Sequence, residues 1–283
     1  MSTLNPAQPA SVSAARPPAQ PILPWAARLY RPLEPFAYTL IRAATGAIFI
    51  PHGIQKLFLG TAGGPIGYVM GGLELIGGLL ILIGILVRPV ALMLIIDVLM
   101  VIVANMAKGW LWTRGGVQYH TFLLGMVIAV FIGGAGRHAI GSWVIQRFDD
   151  LLVPFAYAFA RIWFALLILP SGYEKVFSDG AARIAAGNIL KTGFQPPMFW
   201  AWVVALLEFF GMIMLAAGFL TRSVALMMAI ELGVIVVAIQ MPNGWFWTSR
   251  GAEFAALLFL VCLAFVLGGG GKFSVDRRLG KEF

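Results

Sequence analysis

Pro51-His-Gly-Ile-Gln-Lys56-Leu-Phe58 returns later in the chain as Pro170-Ser-Gly-Tyr-Glu-Lys175-Val-Phe177. Leu73-Glu74-Leu-Ile-Gly77 returns as Leu207-Glu208-Phe-Phe-Gly211, and Arg88 with Ala91-Leu-Met93 returns as Arg222 with Ala225-Leu-Met227. Gly109-Trp-Leu-Trp-Thr113 returns as Gly244-Trp-Phe-Trp-Thr248. The blocks keep their order and lie about 119 to 135 residues apart. A repeat of this kind sets the architecture before any residue is given a role. It also separates charges kept in both copies from charges present in one.

Composition supplies the class. The chain is 60% hydrophobic and 11% charged, with a mean hydropathy of +0.89. Soluble domains carry about 25% charged residues, so most of this surface faces lipid. The net charge of +8 is scattered around apolar segments. Membrane topology and anionic headgroups account for it, and no nucleic-acid partner is implied. The single cysteine, Cys262, sits in an apolar run and reads as a packing residue. Residues 1–35 form a Pro/Ala-rich tail, expected to be disordered up to about Pro24, with Trp25 to Pro35 along the membrane surface.

A span needs about 20 apolar residues. Eight segments qualify, at about 36–58, 67–87, 89–107, 117–134, 152–177, 199–219, 223–241 and 252–268. The expected fold is an all-α integral membrane protein of two tandem four-helix bundles, residues 36–146 and 147–283. The loop Ser178 to Met198 is the main insertion between the copies and should hold a short helix near Ala181 to Leu190. Basic residues outside the spans gather on one side: Arg16, Arg28, Arg31, Arg88, Arg137, Arg147, Arg222 and the Lys272–Lys281 stretch. They are sparser on the other, where Lys108, Arg114, Arg183, Lys191 and Arg250 lie. The richer side is the cytoplasmic one, so both termini are expected inside and the halves share one orientation. The paired Trp residues then form an aromatic belt at the outer interface.

Ionisable groups at membrane depth cost roughly 2.5 to 3.5 kcal/mol each and have to be paired or hydrated. Arg42 and Asp97 are expected at a common depth of roughly 10 Å, as are Arg161 and Glu231, so each couple reads as an ion pair between the first and third spans of its repeat. Lys56 with Glu74 and Lys175 with Glu208 read as a second pairing in the outer half, joined by Gln118 and Glu253 at the start of the fourth and eighth spans. A packing clamp between helices explains them equally well. Histidine breaks the symmetry. His52 shares a helix face with Lys56, and His120 lies at the same outer level, where the second half has Ser171 and Ala255. His52, Lys56, Glu74, Gln118 and His120 are therefore the candidate ligand set, able to hold and protonate a quinone-like head group. Their spacing does not match a metal site.

Arg42 followed by Gly53-x-x-Lys56, the Glu74 segment, Gly84 with Arg88, and Gly134-x-Gly136 resemble the DoxX family of four-helix membrane proteins. The second copy has Arg161, Gly172-x-x-Lys175, Glu208, Gly218 with Arg222, and Gly269-x-Gly271. The chain looks like a tandem fusion of that unit. The resemblance implies a bacterial inner-membrane protein. Some such relatives are subunits of thiosulfate:quinone oxidoreductase, and others are linked to oxidative-stress complexes with a sulfurtransferase. The sequence carries no haem, iron–sulfur or nucleotide motif, so a redox role draws on a diffusible membrane quinone or a soluble redox or sulfurtransferase partner. Two other functions fit the same residues: a small-anion or weak-acid transporter using Arg42 and Lys56, and a non-catalytic scaffold for a soluble partner.

Overall fold

A computed structural model describes residues 20–140 and 146–282. The tail up to residue 19, the linker stretch 141–145 and Phe283 lie outside the described residues. The first repeat comprises α2 (Ala37–Phe58), α3 (Pro65–Ile83), α4 (Val87–Asn105) and α5 (Gln118–Gly133), preceded by the short α1 (Pro24–Tyr30). The second opens with α6 (Gln146–Phe177). Its insertion holds α7 (Gly180–Ile184), a π-helical turn over Ala185–Ile189 and α8 (Leu190–Thr192). Then follow α9 (Pro197–Leu206) and α10 (Met212–Ala217), made continuous by a π-helical turn at Leu207–Gly211. Next, α11 (Thr221–Val234) runs on through a π-helical turn at Ile235–Gln240, and α12 (Glu253–Gly268) and α13 (Val275–Leu279) close the chain. Where disorder was expected before Pro24, Gln20–Pro21 (β1) pairs in parallel with Lys281–Glu282 (β2), so a short piece of the tail is tied to the other chain end.

Among the described residues, five helical stretches are long and apolar enough to cross a membrane: Pro65–Ile83, Val87–Lys108, Phe148–Phe177, Pro197–Ala217 and Thr221–Asn243. Two shorter apolar helices, Gln118–Gly133 and Glu253–Gly268, lie among them. Leu92, Met93, Ile96, Met100 and Val103 on α4 point outward, a run of apolar side chains that lipid covers. The halves are not separate bodies. A single core cluster runs from Ile41 and Phe122 through Phe164 to Phe265, because α5 packs on α6 and α12 packs on α2. These four helices form the centre, with α3–α4 and α9–α11 outside them.

Within each repeat the helices meet at close range. A Cβ on Gly46 of α2 would come within 2.7 Å of the Gly78 carbonyl and 2.8 Å of the Leu82 nitrogen on α3, so glycine is what lets these backbones touch. This contact sets the register. It brings Arg42 level with the turn after α3, where Gly84 takes the left-handed conformation (φ 83°). Arg42 is 1% exposed, and its guanidinium donates to the carbonyls of Ile81, Leu82 (3.0 Å) and His138 (2.8 Å). Arg161 repeats the arrangement, donating to Leu215 O (3.0 Å) and Phe273 O (2.7 Å) beside Gly218 (φ 73°).

The expected Arg42–Asp97 and Arg161–Glu231 ion pairs are therefore corrected. Asp97 lies beside Glu74, and Glu231 beside Glu208. Glu74 packs near the level of Gly53, whose Cβ would meet Leu75 and Gly71. Gly53 is eleven residues beyond Arg42, on the order of 16 Å along the helix. Depth counted from the span ends does not show that offset. The arginines serve carbonyls at the end of the following helix, Ile81 and Leu82 for Arg42 and Leu215 for Arg161, where the intrahelical ladder runs out, and one loop carbonyl each, His138 and Phe273.

Replacing Arg42 by Met strands the Leu82 and His138 carbonyls, while Ile81 O keeps the Gly84 N–H, at about 1–3 kcal/mol for each buried group left unpaired. Thermal unfolding in detergent should show a clear loss of stability for Arg42→Met. Adding Asp97→Asn should give a loss that sums with the first and does not rescue it.

Candidate functional site

Each repeat builds a Lys–acid–acid cluster. In the first, Lys56 Nζ donates to Glu74 Oε1 at 2.6 Å, and Asp97 of α4 stands behind Glu74. In the second, Lys175 donates to Glu208 and to Ser171 Oγ, the latter at 2.5 Å, and Glu231 of α11 stands behind Glu208. The positioning is helical. Lys56 and Lys175 close the helices that carry the repeated Gly-x-x-Lys, Glu74 and Glu208 sit midway along the next helix, and Asp97 and Glu231 midway along the one after.

The candidate set from the first half divides in two. His52 does not pair with Glu74. Its Nε2 donates to Glu253 of the second repeat, which also accepts from the Tyr119 hydroxyl and, at 3.0 Å, from the Trp247 backbone N–H. Glu253 is 0% exposed. His120 sets its ring edge-on to Trp247, with ring centres 4.6 Å apart, and its Nδ1 has no hydrogen-bond partner. The histidines thus belong to a closed network that joins the two repeats, with Trp247 and Phe246 packed around it. Sequence alone gives Tyr119 no role and places Trp247 only in the outer aromatic belt. Tyr119 reaches Glu253, 134 residues away, and Trp247 packs on His120 of the other repeat, and no local periodicity reveals such links.

The remaining candidate, Gln118, faces the other way. It lines a cavity of about 1110 Å³ in the second half, together with Ser171, Glu174, Lys175, Glu208, Glu231 and Gln240. The cavity extends from Trp200 and Asn188 near the Trp-rich loops to Leu220 at the turn after α10. Its floor is apolar, with Met214, Val224, Met227 and Met228, and its roof comes from the insertion through Ile184, Asn188, Ile189, Thr192 and Phe194. Arg183 ties that roof down by ion pairs with Glu174 and Asp179, the latter at 3.3 Å.

Two sequence differences coincide with this cavity. Ala255 lines it at the position where the first repeat has the bulky His120. The insertion that roofs it has as its counterpart only the short stretch 59–64 between α2 and α3. All three π-helical turns among the described residues also lie in the second half, and each contributes wall residues. Such turns recur at functional sites. The turn in α11 has a trace in the sequence: Asp97 and Glu231 are 134 positions apart, Gly109 and Gly244 are 135 apart, so one extra residue enters between them.

The fold and the cluster together define a multi-pass helical membrane protein built from a duplicated unit. The chain belongs to the DoxX family, whose model matches residues 37–107 and again 156–241. An uncharacterized protein of Haemophilus influenzae is 28% identical over 132 residues, which is 46% of this chain and 94% of that protein. No solved structure matches the chain.

Glu253→Ala should lower the unfolding temperature far more than Gln118→Ala. The first change strands three donors, His52, Tyr119 and the Trp247 N–H, at about 1–3 kcal/mol each, whereas the second enlarges a cavity already present. Circular dichroism melts of the two variants in the same detergent compare them directly.

Proposed function

We propose that the protein is an inner-membrane subunit of a quinone-linked oxidoreductase or oxidative-stress system, and that its second half holds a membrane-borne amphiphile of quinone type. The observation that carries this reading is the second-half cavity. Its 1110 Å³ exceeds the roughly 300–1,000 Å³ of ordinary small-molecule sites, which leaves room for a chain as well as a ring. A polar band of Ser171, Lys175, Glu208 and Glu231 crosses its middle, with apolar wall on either side. The head group rests at the band and the tail lies against the methionine-rich floor. The chain has no haem, iron–sulfur or nucleotide motif, so a partner subunit exchanges electrons with the bound molecule.

Charge favours this over transport of a small anion. The lining cation, Lys175, is already paired with Glu208, so the wall offers no free positive group to hold a small anion. Arg42 and Arg161, which an anion path would use, are occupied by backbone carbonyls. The proposed topology has eight spans, with both termini in the cytoplasm, on the excess of Lys and Arg beside the chain ends.

Protein purified in mild detergent should retain close to one molecule of a ring-headed amphiphile per chain, measured by solvent extraction and absorbance. Ala255→Phe, which fills the cavity, and Lys175→Met, which breaks the polar band, should each cut retention at least fivefold, while Lys56→Met leaves it unchanged. Equal retention in all four proteins, or none in the parent, overturns the reading. A periplasm-only reporter fused after Phe283 should be silent, and activity there would reverse the topology.

A further inference from the structure

The hydrogen-bonding balance of the cavity wall says which form of head group it takes. Among the described residues, the cavity-lining side-chain atoms that are buried without a hydrogen-bond partner are three oxygens and no nitrogen: Glu231 Oε1, Glu231 Oε2 and Gln240 Oε1. Lys175, the cation of the wall, already donates to Ser171 and Glu208. At Glu231 the wall thus presents acceptors without a matching donor, and a buried polar atom left unpaired is costly in a low-dielectric setting. A proton shared between Glu231 and the adjacent Glu208 does not alter this, because it is used between the two carboxyls and lone pairs on Glu231 remain.

We infer that the cavity selects an uncharged amphiphile whose ring carries hydroxyl donors, and discriminates against the same ring carrying only carbonyls, with Glu231 as the acceptor that makes the choice. A hydroxyl aimed at Glu231 supplies the missing donor. A carbonyl there sets lone pair against lone pair. Gln240, nine residues further along at the π-helical turn, marks the mouth with a second acceptor. A charged head group finds no free counter-charge there, because Lys175 already pairs with Glu208 and Glu174 with Arg183. This inference rests on the proposed quinone-type occupancy and deepens it: the reduced, dihydroxy form is the one held.

The test uses the full-length protein in lipid nanodiscs under anaerobic conditions. Four probes share a decyl tail: a benzoquinone, the corresponding benzoquinol, the dimethyl ether of that quinol and a decyl ammonium. Binding is read by quenching of tryptophan fluorescence. The quinol should bind at least tenfold more tightly than the quinone. The dimethyl ether, which keeps the shape and loses both donors, should bind as weakly as the quinone. Glu231→Gln and Glu231→Leu should bring quinol and quinone affinities within twofold of each other. Equal or tighter binding of the quinone, tight binding of the dimethyl ether, or a preference that survives both substitutions overturns the inference while leaving the occupancy standing. Tightest binding of the decyl ammonium overturns the uncharged head group. Binding of none of the four removes the occupancy itself.

Discussion

A guanidinium buried where water does not reach has to find its acceptors within the protein. Arg42 and Arg161 find theirs in the carbonyls that end a neighbouring helix, and the rest of each repeat is aligned by that choice. The arginine fixes the height of the first helix against the hairpin turn, and the left-handed glycine beside it leaves space for the charged group. Once those heights are set, a Lys about four turns further on meets a Glu from the second helix, and an acid from the third helix falls in behind. The same residue type resolves two conflicts together: exposed carbonyls at a helix end and an unpaired positive charge. Arg88 and Arg222 do related work, binding the last carbonyls of α5 and α12.

The repeats are also incomplete without each other. Glu253 of the second copy satisfies His52 and Tyr119 of the first, while Gln118 of the first copy lines the cavity of the second. The starts of α5 and α12 stand side by side at the centre, with Tyr119 and Phe254 in ring contact, and each directs its polar residue to the other copy's side. Duplication followed by fusion lets the two crossing contacts diverge. One side has become a closed hydrogen-bonded joint and the other has opened into a cavity.

Much of this was legible in the sequence. The longer helices fall within a few residues of the apolar segments in the sequence, apart from an earlier start to α6, because long apolar runs leave little choice of structure. The Lys56–Glu74 and Lys175–Glu208 contacts were readable from the repeated spacing. The partners of Arg42 and His52 were not. The first depends on the sliding register of two helices, fixed by glycine contacts whose depth cannot be judged from span ends. The second depends on a residue 201 positions away. The histidines of the first half drew attention as the chemically active residues, yet they are consumed in holding the halves together. The cavity arises from smaller features: an alanine in place of a histidine, and an insertion folded back as a roof.

The extra residue in α11 has a consequence in rotation. An α-helix turns about 100° per residue, so everything beyond the π-helical turn is swung round relative to the matching part of α4. Gln240 is carried toward the cavity by that swing, while Glu231, before the turn, stays aligned with Asp97. A single added residue can therefore re-aim one end of a membrane helix and leave the other end in place. The two copies could acquire different faces at one end while keeping a common framework of charges at the other.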